Sequence, residues 1–163
     1  MTAYDPDNIF AKILKGEIPC HKLYEDEDTL AFLDIMPRTE GHALVITKEP
    51  AMDLFGVSQE GLDKLMTVVQ SLAPKIKKAV GAEGVLIQQF NGAVAGQTVF
   101  HLHVHIVPRK EGVPLRPEGA AMADDQMWGS FDFTIPYTVS ERQRGSLIVW
   151  DYSAKDGSMI DVR

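Results

Sequence analysis

The stretch GQTVFHLHVHIV, residues 96–107, decides which fold and which chemistry this chain can support. It holds three of the five histidines of the chain, spaced at every second position: His101, His103 and His105. A β-strand turns successive side chains to opposite faces, so the three imidazoles would share one face and the intervening apolar side chains the other. We therefore predict a strand over Val99–Val107 that presents a row of imidazoles.

A row of imidazoles supports two kinds of chemistry. In the first, a His-x-His pair ligates zinc and His42, at the start of another apolar segment, supplies a third ligand. In the second, one imidazole attacks phosphorus while its neighbours orient it and transfer protons. Residues 96–98 offer backbone N–H groups and polar side chains but no carboxylate or thiolate. They favour a phosphate over zinc, and a zinc hydrolase is kept as the alternative.

The composition excludes several function classes. The 163 residues carry 23 acidic and 16 basic side chains, a formal net charge of −7 that argues against binding of nucleic acid or of an anionic membrane. The single cysteine, Cys20, excludes a disulfide framework. The sequence contains neither an apolar run of about 18 residues nor a signal peptide. We expect a cytoplasmic protein.

The rest of the chain predicts an α+β fold, with two helices packed on an antiparallel sheet of about five strands. The other predicted elements are a helix over Asn8–Leu14, strands over Cys20–Glu25, Thr29–Asp34 and His42–Ile46, a helix from Ser58 to beyond Ile76, and a strand over Val85–Phe90. We expect Pro74 to kink or loosen the second helix and Pro108 to end the last strand.

The carboxy-terminal stretch differs in amino-acid composition from the rest of the chain. Residues 111–119 have the composition of a linker, and alternating apolar residues predict a β-hairpin between segments 131–137 and 147–152. We expect the polar tail after Ser153 to be mobile. The sequence thus predicts a first domain over residues 1–117 and an extension of unknown role over residues 118–163.

The stretch from Gly96 to Val107 resembles the signature of the histidine triad (HIT) family, His-φ-His-φ-His-φ-φ with φ apolar, at every position. Segments 9–19, 30–37 and 41–46 resemble the amino-terminal helix and the two following strands of its Hint-like branch. The resemblance covers about residues 8–117. It implies a HIT-like fold, a homodimer, and an enzyme that needs neither metal nor cofactor.

The resemblance also implies catalytic roles. His103 aligns with the nucleophile that attacks the α-phosphorus of a nucleotide and forms a covalent nucleotidyl-histidine. His105 aligns with the residue beside the leaving group, and His101 with the support of the nucleophile. His42 aligns with a fourth histidine that reaches the phosphate from the neighbouring strand.

Further residues are implied to bind the nucleotide. Gln97 and Thr98 align with donors to the phosphate or leaving group, Asn91 with a phosphate or ribose contact, and Asp34 with the acceptor for the ribose hydroxyls. The implied apolar walls of the purine pocket are Ile9, Phe10, Ile13 and Phe32. The residues also allow structural explanations, a turn cap for Asp34 and core packing for Ile13 and Phe32.

The expected reaction follows from the Hint-like features. That branch hydrolyses purine nucleoside phosphoramidates, so we expect an AMP derivative as the substrate. One alternative is hydrolysis of dinucleoside polyphosphates, as in the fragile-histidine-triad branch, and another is a non-catalytic nucleotide-binding or interaction module. Two features depart from the family: Lys48-Glu49-Pro50 replaces a Lys-His pair, and segment 119–163 matches no part of it.

Overall fold

The chain forms a five-stranded antiparallel sheet with a helix on each face, which confirms the predicted α+β plan. The computed structural model describes residues 4–120, 147–150 and 159–162. The helices are α1 (Ile9–Leu14) and α2 (Gln59–Ala79), with a 3-10 turn at Ala93–Ala95, and the strands of the sheet are β1 (Lys22–Glu25), β2 (Thr29–Leu33), β3 (Ala43–Thr47), β4 (Gly84–Gln88) and β5 (His103–Arg109). The strand order is β1-β2-β3-β5-β4.

Side-chain caps start both helices. The Asn8 side chain accepts hydrogen bonds from the N–H groups of Phe10 and Ala11, each at 3.0 Å, so the predicted cap of α1 is confirmed. Ser58 caps α2 in the same way. The exposed Pro74 does not end α2, which stays helical to Ala79 because the apolar stripe on its other face packs on the sheet.

The sheet separates two apolar clusters. One lies between the sheet and α2 and includes the apolar residues that alternate with the histidines: Leu102, Val104 and Ile106. The other lies on the opposite face, against α1, and is formed by Phe10, Ile13, Leu30, Phe32, Leu44 and Ile46. The predicted alternation of side chains along the histidine segment is therefore confirmed, and the imidazoles lie on the α1 side.

Strand β5 differs from its predicted bounds at both ends. It begins at His103 rather than Val99, because the N–H of Leu102 donates to the carbonyl of Ala51, outside the sheet, at 2.8 Å. It also continues through Pro108 to Arg109. Proline is tolerated there because β3 pairs with β5 only as far as Ile106, so the missing N–H removes no bond of that ladder.

The carboxy-terminal part contains a separate two-stranded sheet, β6 (Leu147–Trp150) paired antiparallel with β7 (Met159–Val162). The predicted partner of β6, segment 131–137, lies outside the described residues. Residues 159–162 of the predicted tail form β7, and the mobility of the tail stays a prediction. Among the described residues, no helix combines the length and the apolar character that crossing a membrane requires.

Candidate active site

Four of the five histidines come together on the α1 face of the sheet, between the start of β5 and the start of β3. The ring centroids of His103 and His105 are 4.9 Å apart, and those of His42 and His105 are 5.2 Å apart. His42 immediately precedes β3, which is the neighbour of β5 in the sheet. The sequence predicted this grouping, and antiparallel pairing of two non-consecutive strands produces it.

His103 has one ring nitrogen fixed and the other available. Its Nδ1 lies 2.6 Å from the carbonyl oxygen of His101, and because a carbonyl can only accept, Nδ1 carries the proton. Nε2 therefore holds the lone pair. Among the described residues, the buried side-chain polar atoms that lack a hydrogen-bond partner are Thr29 Oγ1 and Glu40 Oε1. Nε2 of His103 does not belong to this group. It makes no hydrogen bond in this part of the chain, so its lone pair is not used there.

A second chain of hydrogen bonds fixes His42 and His105. The backbone N–H of Arg38 donates to Nδ1 of His42 at 3.1 Å, so the proton of His42 resides on Nε2. That N–H donates to Nδ1 of His105 across 3.0 Å. The neutral ring of His105 then carries its proton on Nε2. Through His42, the backbone N–H of Arg38 thus makes Nε2 of His105 a hydrogen-bond donor, whereas Nε2 of His103 is an acceptor.

His101 is fully buried and satisfied on both nitrogens. Its Nε2 donates to the carbonyl of Thr47 at 2.8 Å, which leaves Nδ1 to accept from the hydroxyl of Tyr4 at 2.7 Å. Sequence reasoning missed Tyr4, because 97 positions separate it from His101 and it belongs to no periodic pattern. No signal in the sequence could have paired the two.

Burial keeps the imidazoles neutral. It is the main cause that lowers the pKa of His42 to about 4 and the pKa of His105 to about 3, with smaller contributions from neighbouring positive charge. Burial also lowers the pKa of His101 and of His103. The carboxylate of Asp34 lies 3.4 Å from Nδ1 of His42, but a neutral ring forms no ion pair with it.

The loop before β5 is held by Gln97, whose side chain is buried. Its Nε2 donates to the carbonyls of Met52 (2.6 Å) and Val99 (3.0 Å), and its Oε1 accepts from the N–H of Gly92 (2.7 Å). The amide group therefore ties the loop to the segment after β3. Direct donation from Gln97 to a substrate stays a prediction, as does donation from Thr98, which is exposed beside it.

Asp34 and Asn91 also make hydrogen bonds within the protein. One carboxylate oxygen of Asp34 accepts from the N–H of Met36 at 2.9 Å, which is the turn cap that the sequence allowed, while the other faces His42. Asn91 accepts from the N–H of Leu54 at 2.9 Å and donates to the side chain of Gln89 at 2.7 Å. Their contacts with a nucleotide stay predictions.

The predicted apolar wall is only partly at the imidazoles. Phe10 is edge-on to His103, with ring centroids 5.0 Å apart, and Phe32 packs edge-on against Phe10 at 5.7 Å. Ile13 is buried with them in the same cluster, whereas Ile9 is 43% exposed. Sequence reasoning missed the ring of Phe90, 5.6 Å from that of His105, although an aromatic residue at the end of a predicted strand was a usable signal.

A metal would have to compete with the hydrogen bonds of the site. Ligand atoms of Asp34, His42 and His105 lie within 4.8 Å of one another, a spacing that a zinc ion could bridge. Both ring nitrogens of His42 are already hydrogen-bonded, however, so coordination would break one of those bonds. The arrangement of protons fits a metal-free site, and zinc remains the alternative to be tested.

Comparison with known proteins identifies the family. A family model described as the HIT domain matches residues 15–112. This chain belongs to the HIT family. The structure superposes on that of a Hit-like protein of Bartonella henselae with a TM-score of 0.68 and 49% identity, over 69% of this chain and 86% of the other. A zinc-bound histidine triad family protein of Mycobacterium smegmatis gives the same TM-score with 34% identity, over 76% and 89% of the two chains.

The curated relatives of this HIT protein include two whose names state different activities. Adenosine 5'-monophosphoramidase hnt1 of Schizosaccharomyces pombe is 46% identical over 62% of this chain and 73% of the relative. Adenylylsulfatase HINT3 of Arabidopsis thaliana is 41% identical over 64% of this chain and 53% of the relative. The matched part of the plant protein is therefore about half of its length.

A second family model, the immunoglobulin-like domain of bacterial spore germination, matches residues 77–158. Over residues 77–112, where the two matches overlap, the structure has the end of α2 and the strands β4 and β5 of the HIT sheet. This part therefore has the HIT arrangement. The second match extends into the carboxy-terminal part, where the described residues form the antiparallel pair β6 and β7.

Proposed function

We propose that this HIT protein hydrolyses purine nucleoside phosphoramidates at the α-phosphate, through a covalent nucleotidyl-histidine on His103. The observation that carries the proposal is the ring of His103, whose Nδ1 is protonated against the carbonyl of His101 while the lone pair of Nε2 is not used by the described residues. A neutral imidazole with an available lone pair is the form required of a nucleophile. Burial supports this form because it lowers the pKa of His103.

In the first step, Nε2 of His103 attacks the α-phosphorus, a nitrogen–phosphorus bond forms, and the bond to the leaving amine breaks with its electron pair on the amine. The amine takes up a proton. The proton comes from solvent, because loss of the Nε2 proton would leave the neutral ring of His105 as an imidazolate. The Nε2–H of His105, directed by the bond between His105 Nδ1 and His42, instead donates a hydrogen bond to the leaving group.

In the second step, water attacks the phosphorus of the intermediate. A phosphorus–oxygen bond forms, the bond to His103 Nε2 breaks, and its electron pair returns to the ring. The proton released by the water passes to solvent, which supplied the one taken up in the first step, so protons balance over the cycle. AMP leaves as the product, and neither step requires an oxidant or a metal.

Similarity to named enzymes supports the substrate class. The relatives called adenosine 5'-monophosphoramidase and adenylylsulfatase both have names that point to adenosine derivatives. In the site, the ring of Phe10 offers an apolar surface beside His103, and one oxygen of Asp34 faces the histidines rather than the turn. We propose that the base packs near Phe10 and that the ribose hydroxyls donate to Asp34.

The test replaces the nucleophile. His103→Ala is expected to abolish turnover of an adenosine phosphoramidate, at least about a thousandfold in kcat, while AMP binding measured by calorimetry stays detectable. The matched control is His21→Ala, which changes the one histidine outside the site. Undiminished turnover by His103→Ala would overturn the proposal, and stoichiometric zinc whose removal stops turnover would replace it with the zinc mechanism.

The same assay separates the other candidates. Rates for an adenosine phosphoramidate and for diadenosine polyphosphates are compared side by side with the same preparation. Faster cleavage of the polyphosphates would assign the chain to the fragile-histidine-triad activity instead. AMP binding without turnover of either substrate would indicate a non-catalytic nucleotide-binding module.

A further inference from the structure

The carbonyl oxygen that orients the nucleophile lies outside the sheet. His101 precedes β5, and its carbonyl accepts the Nδ1–H of His103 at 2.6 Å. The peptide unit between His101 and Leu102 is not part of the sheet ladder, so other contacts must hold it in place. One of them is the bond from the N–H of Leu102 to the carbonyl of Ala51 at 2.8 Å. The remaining ones are made by the ring of His101.

The ring of His101 is bound on both sides. Its Nε2–H donates to the carbonyl of Thr47 in β3, and its Nδ1 accepts from the hydroxyl of Tyr4, which lies before α1. The rings of Tyr4 and His101 also touch, with centroids 5.6 Å apart and planes inclined by 59°. Since the imidazole is completely buried, the phenol satisfies a nitrogen that water does not reach.

We propose that Tyr4 is a positioning residue for the nucleophile: its hydroxyl holds the ring of His101, and the carbonyl of His101 in turn keeps Nε2 of His103 directed toward the substrate. The inference rests on the proposed function and extends it to a residue outside the triad. Tyr4 contacts no reacting atom. It acts through its hydrogen bond to His101, and His101 in turn orients His103, on which the bond to phosphorus forms and breaks.

Few other groups bear on the ring of His101. Within the described part of the chain, the titratable groups that face it are Tyr4, from the amino-terminal segment, and His103, from β5. Helix α1 contributes the uncharged edge of Phe10, and β3 contributes the carbonyl of Thr47. Without the phenol, Nδ1 of His101 becomes a buried acceptor with no donor, which favours rotation of the ring.

The experiment compares Tyr4→Phe with the full-length wild-type chain. The matched control is Tyr24→Phe, which also removes one phenol donor, here to Asp26 at 2.6 Å, on the face of the sheet away from the histidines. Two readouts are taken at pH 7.5: imidazole nitrogen NMR of histidine-labelled protein, which reports the tautomer of each ring, and kcat and KM on an adenosine phosphoramidate.

The expected result is specific to Tyr4. In Tyr4→Phe the Nδ1 signal of His101 shifts, kcat falls about 3- to 10-fold, and KM changes less than about twofold, as loss of one hydrogen bond predicts. Tyr24→Phe keeps the wild-type signals and kcat. A Tyr4→Phe variant with wild-type nitrogen signals, or with shifted signals and unchanged kcat, would overturn the inference, and so would an equal fall of kcat in Tyr24→Phe.

Failure of the proposed function would be recognised separately. If the wild-type chain turns over no adenosine phosphoramidate, that function is overturned by the wild type alone. The nitrogen signals of Tyr4→Phe would then decide whether the tyrosine controls His101 and His103: unchanged signals from both rings would overturn the positioning role.

Discussion

The four clustered imidazoles receive their proton positions mainly from the backbone. The carbonyl of His101 fixes His103, the N–H of Arg38 fixes His42, and the carbonyl of Thr47 fixes one side of the His101 ring. Main-chain groups do not titrate, so these tautomers persist wherever the rings are neutral. The chemistry of the site is therefore set by peptide geometry as much as by the identity of the side chains.

Neutral buried histidines make stability depend on pH. The folded pKa of His42, about 4, and that of His105, about 3, lie below the unfolded value near 6.5. Above pH 6.5 neither state is charged. As the pH falls below 6.5 the unfolded chain takes up protons first, so the free energy of unfolding should drop by about 2–4 kcal/mol between pH 7 and pH 5.

Urea unfolding at pH 7, 6 and 5 measures this drop. The window lies above the titration range of ordinary carboxyl groups, which isolates the histidine contribution. A His42→Gln variant should show a smaller drop, because it lacks one of the buried rings whose folded pKa is lowered. Equal stability of the wild type at pH 7 and pH 5 would contradict the prediction.

At the residue scale, the sequence predicted well where the histidines lie and predicted poorly which groups form hydrogen bonds in the site. The period of two placed three imidazoles on one face, and His42 joined them as expected. The partner of His101 was out of reach, because a hydroxyl near the start of the chain meets the ring only after folding. The same holds for Gln97, whose bonds to Met52 and Val99 depend on how two loops pack.

The elements of the sheet were predicted almost completely, since each has an apolar run bounded by turn residues. The histidine strand was the exception. An alternating pattern continues from Val99, but the backbone at Leu102 pairs with Ala51 rather than with a strand. Periodicity reports which side chains are buried and not which peptide groups form a ladder, so the four residues before β5 were assigned wrongly.

The loop between β4 and β5 depends on a glycine. Gly96 has a φ of +98°, and a Cβ at this position would lie 3.5 Å from the ring of Phe90, which packs on His105. Because an L side chain is strained at this φ, Gly96→Ala should lower the free energy of unfolding by about 1–2 kcal/mol, and a shift of the loop beside Phe90 should also lower kcat/KM.

Thermal unfolding and steady-state kinetics check the effect of Gly96→Ala. The matched control is Gly84→Ala in β4, where a Cβ would find its nearest neighbour at 3.9 Å, the Cβ of Arg109, and no unusual backbone angle is required. Wild-type stability and kcat/KM in the Gly96 variant would show that the loop tolerates a side chain there.

The whole molecule has an apolar edge that suits self-association. Strand β4 is an outer strand of the sheet, and its Leu86 and Ile87 are 37% and 41% exposed. An outer strand with apolar side chains favours pairing with another chain. The homodimer implied by the resemblance stays a prediction, and we expect it to use this edge.

Light scattering of the full chain tests the dimer. The wild type should have twice the 18.0 kDa mass of one chain, and Ile87→Lys should return it toward the mass of one, because a charge at an outer strand opposes pairing. Val113→Lys, at a 46% exposed apolar residue outside the strands of the sheet, is the control. A dimeric Ile87→Lys, or a monomeric wild type, would contradict the prediction.

The chain that follows β5 returns to the active-site side of the sheet. Two hydrogen bonds join Arg38 and Arg116. The backbone N–H of Arg116 donates to the carbonyl of Arg38 at 2.8 Å, and the side chain of Arg38 donates to the carbonyl of Arg116 at 2.7 Å. The guanidinium of Arg38 also donates to the carboxylate of Glu118 at 2.6 Å. The predicted boundary after residue 117 stays a prediction, but it falls within a segment that these contacts fasten to the HIT domain.

The N–H that Arg38 donates to His42 has an evolutionary consequence. A main-chain donor is present in every amino acid except proline, so substitutions at position 38 leave the proton of His42 in place. The spacing between the donor and the ring is what natural selection would have to preserve. Among homologues we therefore expect the length of the segment from residue 38 to residue 42 to vary less than the side chain at position 38.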